Sequence, residues 1–411
     1  MANKSYTSVV NYRANYVFPV AQSPIMDGVV SVQGGKVVGV GSRGEGKVVD
    51  LGQVALLPGL VNAHTHLEFS DCRNPFPAGA TFPDWIRQVV AFRRNQSNRP
   101  ADPWAMGLAE SLKCGTTLLG EIASVGWNPA AFETSPVRSV VFLEMLGLAE
   151  EQVEKNLAAA EGHGGETAER WTAGLSPHAP YSVHPELFRR TMEMAGKRKL
   201  PVAMHVAETR EELELLDRGT GPFREMLEQF GIWSEGIFQR GQRPLDFLKP
   251  LAKARRALVV HGNYLDGKEL AWLADQPQMS VVYCPRTHQH FGHEEHPLPR
   301  LMAAGVRVAL GTDSRASNPD LSLLEELRTV ARLFPQLRPS SLLRLATQAG
   351  ADALGLGHLA GQLSACRPAD MIAVPIENRH PTDPHDLLFG SSLPVSHVMK
   401  NGQWVITPDE A

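Results

Sequence analysis

The sequence lacks the features that mark several protein classes. Only four cysteines occur in 411 residues, Cys72, Cys114, Cys284 and Cys366, and none stands in a C-x-x-C pair. That spacing excludes a zinc ribbon and a dense disulfide framework. There is no basic excess: 40 Lys and Arg face 44 Asp and Glu, a formal net charge of −4. Nucleic-acid binders concentrate positive charge, so no nucleic-acid partner is expected. No apolar run approaches the roughly 18 residues of a membrane span. The polar stretch from Met1 to Tyr16 holds no apolar core of signal-peptide length. The expectation is a soluble, cytoplasmic chain without a membrane partner. Hydrophobic residues at 43% and charged residues at 20% exclude a disordered chain, a coiled coil and a collagen-like rod.

Two kinds of pattern are present instead. Both ends of the chain read as short strands. Gly28-Val-Val-Ser-Val-Gln and Lys36-Val-Val-Gly-Val flank Gly34-Gly35, and Ser396-His-Val-Met-Lys and Gln403-Trp-Val-Ile flank Asn401-Gly402. Both are hairpin signatures. Isolated hairpins are marginal in water, so residues 1–57 and 358–411 are expected to build one small β domain together. Between them, residues 58–357 alternate apolar runs with amphipathic stretches. The runs are Val54–Leu60, Thr116–Leu119, Val137–Leu143, Thr172–Leu175, Pro201–Met204, Ala257–Val260, Met279–Val282 and Val306–Leu310. Eight β–α units over some 300 residues predict an α/β fold, a (β/α)8 or TIM barrel.

A barrel of this kind carries its chemistry at the C-terminal ends of its strands. His64 and His66 follow the first run, His178 the fourth, His205 and Glu208 the fifth, His261 the sixth and Asp313 the eighth. His64 and His66 are two apart on an extended segment, so both rings face one way. A nitrogen from His205 and an oxygen from Asp313 would complete a divalent-metal site with room for water. Such an ion lowers the pKa of a water towards about 7. Glu208, three residues beyond His205, is the candidate proton carrier, with His261 beside it. Each pattern alone is commonplace, and a Thr-Asp pair after a strand is often only a helix cap. Their succession along the strand ends is not. Other motifs fail in context. Gly39-x-Gly41-x-x-Gly44 runs into another strand rather than a helix, and His293-Glu-Glu-His296 is one residue short of H-E-x-x-H.

Pro58-Gly-Leu-Val-Asn-Ala-His64-Thr-His66, His205-x-x-Glu208, Val260-His261-Gly and Leu310-Gly-Thr-Asp313-Ser-x-Ala-Ser-Asn318 resemble the amidohydrolase superfamily, most closely its mononuclear deaminase/chlorohydrolase branch. The resemblance covers nearly the whole chain and implies a distorted TIM barrel with a composite β domain. It implies metal at His64, His66, His205 and Asp313, proton shuttling at Glu208, His261 beside the nucleophile, and Asp313 also as a base. Binuclear relatives bridge two ions with a carboxylated Lys on strand 4; Thr172–His178 has no Lys, so one ion is expected, zinc or iron. Family members often form homodimers. Substrate-binding candidates are His178, Trp85, Arg286 and His288, with Arg87, Arg93 and Arg94 as candidates for a substrate carboxylate. Gln289-His-Phe-Gly-His293 resembles aminodeoxyfutalosine deaminases. The expected reaction is hydrolytic deamination of an adenine-type small molecule, with hydrolysis of an aryl halide or cyclic amide as the alternative. A non-catalytic binding protein is a third class, which the full ligand set disfavours.

Overall fold

In the computed structural model the described residues are 8–95, 102–165 and 168–408. Eight parallel strands form one sheet in sequential order: β1 (Leu60–Thr65), β2 (Thr116–Ala123), β3 (Arg138–Met145), β4 (Trp171–Pro177), β5 (Val202–Val206), β6 (Ala257–His261), β7 (Met279–Tyr283) and β8 (Val308–Leu310). Their near-continuous burial is what a parallel sheet covered by helices requires. Side chains alternate across it. Leu258 and Val260 meet Val61, Val140, Ala203 and Val282 inside the ring, while Ala257 and Val259 pack outward with the helices.

The ring is a distorted TIM barrel. β4 and β5 share a single register pair, Val202 with Leu175. Closure between β1 and β8 rests on one bridge, Thr65 with Asp313, and on the His64 carbonyl, which accepts from Thr312 N and Asp313 N at 3.1 Å each. A Cβ on Gly311 would lie 2.8 Å from that carbonyl, so only glycine lets the two strands approach this closely. The seam of the barrel therefore coincides with two of the residues singled out for chemistry.

The chain ends build a second, mixed sheet in the order 403–406, 397–400, 371–375, 54–58, 10–17, 25–33 and 36–41, with 47–50 also paired to 10–17. Gly34-Gly35 and Asn401-Gly402 all have positive φ, between 48° and 78°, the backbone of a type I′ hairpin. The sequence reading needs one correction here. Val54–Leu60 is not the first barrel strand: Val54–Pro58 pairs with Met371–Pro375 in the mixed sheet, and the barrel starts at Leu60. Lys400 ties the two sheets, its ammonium donating to the Thr117 carbonyl at 3.2 Å. Among the described residues, no helix is long and apolar enough to cross a membrane.

Candidate metal and catalytic centre

Six strand-end side chains converge at the C-terminal mouth of the barrel. His64 leaves β1 fully buried, with both ring nitrogens lacking a hydrogen-bond partner. His66 and His205 bring their Nε2 atoms to 3.3 Å of each other. Asp313 Oδ1 lies 3.7 Å from His64 Nε2 and 3.9 Å from His66 Nε2. Two overlapping groups have donor atoms close enough to share an ion: His64 with His66 and Asp313, and His64 with His205 and His261.

The donor set passes the chemical test for a cation. His205 Nδ1 donates to the His178 carbonyl at 2.8 Å. That bond assigns the proton to Nδ1 and leaves Nε2 as a bare lone pair, the usual support of a metal-binding imidazole. Tetrahedral ligands about 2.0–2.1 Å from an ion stand roughly 3.3 Å apart, the separation seen between the His66 and His205 nitrogens. Burial above all, and then the other histidines, push His66 well below the ordinary imidazole range, and His205 down to about 3. Both rings are therefore neutral and able to coordinate near neutral pH.

Glu208 stands beside this cluster on a rigid mount. Glu212 accepts from the amides of Ala207 and Glu208 at 2.8 and 2.9 Å, and Asn263 Nδ2 donates to the Glu208 carbonyl at 2.9 Å. Ala207, His261 and Asp313 all have positive φ, at 54°, 67° and 56°. Such backbone persists only where its surroundings over-determine it. Glu208 Oε1 sits 3.4 Å from His261 Nε2. Burial, reinforced by Asp313, Glu212 and Glu211, raises the Glu208 carboxyl well above the usual carboxylate range. A cation in the cluster would oppose that shift. At His261, the carbonyl accepts from His296 Nε2 at 3.0 Å, and His296 stacks on Tyr283 with ring centroids 3.8 Å apart.

A cavity of about 410 Å³ opens above His66, His205, Glu208, His261 and Asp313. Its walls are largely apolar, with Phe69, Phe82, Trp85, Leu148, Tyr181 and Phe230 prominent. That combination of apolar walls and a few convergent polar groups is the ordinary build of a small-molecule site. Trp85 lies on α1 (Phe82–Arg94), stacked on Phe82 with centroids 5.5 Å and planes 28° apart, and with its indole N–H on the Ala316 carbonyl at 3.3 Å. His178 lines the cavity, its Nδ1 at 2.7 Å from Ser182 Oγ.

Other expected contacts fall elsewhere. Arg286 and His288 do not line the cavity, because the chain turns into a helix at Pro285–His290 as soon as β7 ends. Arg286 is drawn away by fully buried Glu326 at 2.6 Å and by Asp320 at 2.7 Å. Glu326 also takes Asn318 Nδ2 at 2.6 Å, and the same amide holds the Thr312 carbonyl at 2.7 Å. Arg286 thus balances a buried carboxylate that supports the end of β8. His288 is buried against Tyr283, His293 and His296. Of the three arginines on α1, Arg87 is spent on Asp84 and Gln229 at 2.7 Å each, and Arg94 sits exposed at the cavity rim. Arg93 lines the cavity, bonded to Glu68 and, at 3.0 Å, to Glu144. Glu144, the penultimate residue of β3, was not singled out from the sequence. The apolar run Val137–Leu143 stops one residue before it, so the signal was there to extend.

His288 yields a stability prediction. Burial lowers it from 6.5 to about 4. Below pH 6.5 the unfolded chain gains a proton there that the folded chain refuses until about pH 4. Stability is therefore intact above pH 6.5 and falls as pH drops towards 4, by up to about 3 kcal/mol from this group. Urea unfolding of metal-free protein at pH 7.5, 6.0 and 5.0 measures it. His288→Gln is expected to flatten part of that slope, and an unchanged slope would refute the assignment.

Comparisons with known proteins agree with this geometry. The sequence pattern of the amidohydrolase family matches residues 55–405. A 5-methylthioadenosine/S-adenosylhomocysteine deaminase of Pelotomaculum thermopropionicum is 29% identical over 408 residues, 92% of this chain and 88% of that protein. An aminodeoxyfutalosine deaminase of Nitratiruptor sp. is 29% identical over 330 residues, 77% of this chain and 78% of that protein. The crystal structure of an adenosine deaminase from Xanthomonas campestris with bound zinc superposes with a TM-score of 0.81 at 26% identity, covering 98% of this chain and 93% of that one. With a barrel closed at His64 and Asp313, a convergent His/Asp cluster and a family match across most of its length, the chain belongs to the amidohydrolase family.

Proposed function

We propose that this chain is a metal-dependent aminohydrolase that deaminates the adenine ring of a nucleoside-like small molecule. The observation that carries the reading is the convergence of His64, His66, His205 and Asp313 beside Glu208 and His261, on the floor of one apolar cavity. The first four would hold one divalent ion, zinc by analogy with the relatives. When bound, the ion would acidify a water and so supply a nucleophile near neutral pH.

The chain's own groups do the rest. Phe82 and Trp85, stacked on each other in the cavity wall, offer the planar base an apolar surface and keep bulk water from it. Glu208 takes a proton from the attacking water and delivers it to the ring nitrogen next to the amine-bearing carbon. His261 and Asp313 orient the water, Asp313 by accepting a hydrogen bond at Oδ and His261 through Nε2. The C–O bond forms, Glu208, freed by that delivery, takes the second proton from the new hydroxyl and passes it to the amine, and the C–N bond breaks as the oxo group forms. Water and the aminopurine become the oxo-purine and ammonia.

Within this class, aminodeoxyfutalosine is the leading substrate. Its support is the Gln289–His293 loop and the aminodeoxyfutalosine deaminase among the relatives. Phe291 of that loop meets Phe82 and Trp85 edge-on at 5.0 and 5.2 Å, so the loop shapes the cavity wall from behind. The test is ammonia release by zinc-loaded protein from aminodeoxyfutalosine, methylthioadenosine, S-adenosylhomocysteine, adenosine, guanine and cytosine. Turnover led by aminodeoxyfutalosine is the expected result. Turnover led by another adenine nucleoside would remove only the substrate choice. Silence on all of them, with chloride or a ring-opened acid formed from a triazine or cyclic amide, would replace the reaction itself.

A further inference from the structure

The chain turns as soon as it leaves β1. A single 3-10 turn follows at Leu67–Phe69, with His66 at its head and no capping bond from the His66 side chain. The first amides of such a turn have no partner inside it. The Leu67 amide finds one on the next strand: both carboxyl oxygens of Glu121, on β2, accept from it at 3.0 Å each. Glu121 is fully buried and pairs in register with Thr65, level with the end of β1. Among the described residues no lysine, arginine or histidine pairs with it. Burying a carboxyl costs free energy that one shared amide proton offsets only in part. Packing alone does not call for an acid here, since an apolar side chain of similar size would fill the space.

The turn that Glu121 holds is the one that aims His66. Metal-binding imidazoles are commonly oriented by a hydrogen bond at the second ring nitrogen. His205 has such a bond, from Nδ1 to the His178 carbonyl at 2.8 Å. His66 has none: its Nδ1 is buried without a partner. Its Nε2 nevertheless stands 3.3 Å from that of His205 and 3.9 Å from Asp313 Oδ1. With no bond at Nδ1 to fix it, the direction of the ring follows from the backbone at residues 66 and 67. The bond to Glu121 fixes that backbone.

We infer that Glu121 is a positioning residue for the metal centre, which acts through the Leu67 amide to hold the turn that aims His66 at the ion. This rests on the metal site proposed above and is independent of which substrate the cavity takes.

The experiment compares Glu121→Gln, Glu121→Asp and Glu121→Leu in the full chain. Gln keeps an acceptor oxygen at the same reach. Asp keeps the acid but is one methylene too short. Leu keeps the bulk and accepts nothing. Zinc affinity is measured by competition with a chelator, and the visible absorption of cobalt(II)-loaded protein reports the geometry around the ion. Groups that orient metal ligands predict about a 10- to 100-fold loss of affinity on removal, expected in the Leu and Asp variants together with a shifted cobalt spectrum. The Gln variant should stay within about threefold of the wild type, with the wild-type spectrum. Asp and Gln judge the proposal if the leucine variant does not fold. Wild-type affinity and spectrum in the folded Leu or Asp variant overturn the inference, because Glu121 would then only cap a turn. So does a loss in Gln as large as that in Leu, since the acid itself and not its reach to Leu67 would then matter. The expected pattern of metal binding without ammonia release from any nucleoside supports Glu121 and sinks the deaminase. Failure of the wild type to bind zinc or cobalt overturns both.

Discussion

Stripping the divalent ion is expected to lower ammonia release by a factor on the order of 10³ or more, and adding zinc back should restore it. The argument starts from burial. His64 is wholly inaccessible, with no partner for either ring nitrogen, and His66 Nδ1 is likewise unpartnered. Polar atoms left alone in a protein interior are costly, and a cation satisfies several nitrogen lone pairs at once. The ion should also stabilise the fold, because it draws together β1, β5 and the segment after β8, and binding to the folded state alone raises stability. His66→Ala is expected to lose bound metal by elemental analysis and to lose the rise in melting temperature on adding zinc. Full activity in a chelated preparation that retains almost no metal would end the metal-dependent reading.

Replacing Glu208 by Gln should cut kcat by about 10²–10⁴ while leaving the metal content unchanged. Gln keeps the shape of the side chain and its place near His261, so packing survives and only the proton is lost. The mount argues for the same outcome. Three hydrogen bonds, two to Glu212 and one from Asn263, hold the backbone of residues 207 and 208 and fix where the carboxyl points. Effects on KM should be small beside those on kcat, because the role is realised as the bond forms rather than on binding. Retention of kcat within tenfold would move the proton transfer to His261 or Asp313.

The parts of the site that were legible in the sequence are those set by chain order. A parallel barrel sends every strand end to one face, so His64, His66, His178, His205, Glu208, His261 and Asp313 could be placed at a common mouth before any distance was known. The composite sheet was legible for a related reason: Gly34-Gly35 and Asn401-Gly402 adopt the positive φ that a two-residue hairpin demands. The first barrel strand was misplaced because Val54–Pro58 and Leu60–Thr65 form one nearly unbroken apolar run. Only Gly59 separates them, and a Cβ there would strike the Thr117 side chain, a clash visible only in three dimensions.

Arg286 and His288 follow a strand end as plainly as His178 does. What takes Arg286 away is Glu326, forty residues later, whose burial demands a cation, and no local pattern reports a demand made from that distance. Glu144 is the converse case. An acid at the end of an apolar run reads as a solvated boundary until the fold buries it beside Arg93 and leaves one oxygen without a partner. By itself, then, the sequence determined the barrel, the composite sheet and the candidates for metal and proton transfer, because periodicity and strand order are properties of the chain. The cavity walls, the diversion of Arg286 and the buried, unpartnered oxygen of Glu144 were decided only by tertiary structure, because each depends on which distant groups share a low-dielectric interior and must satisfy one another there.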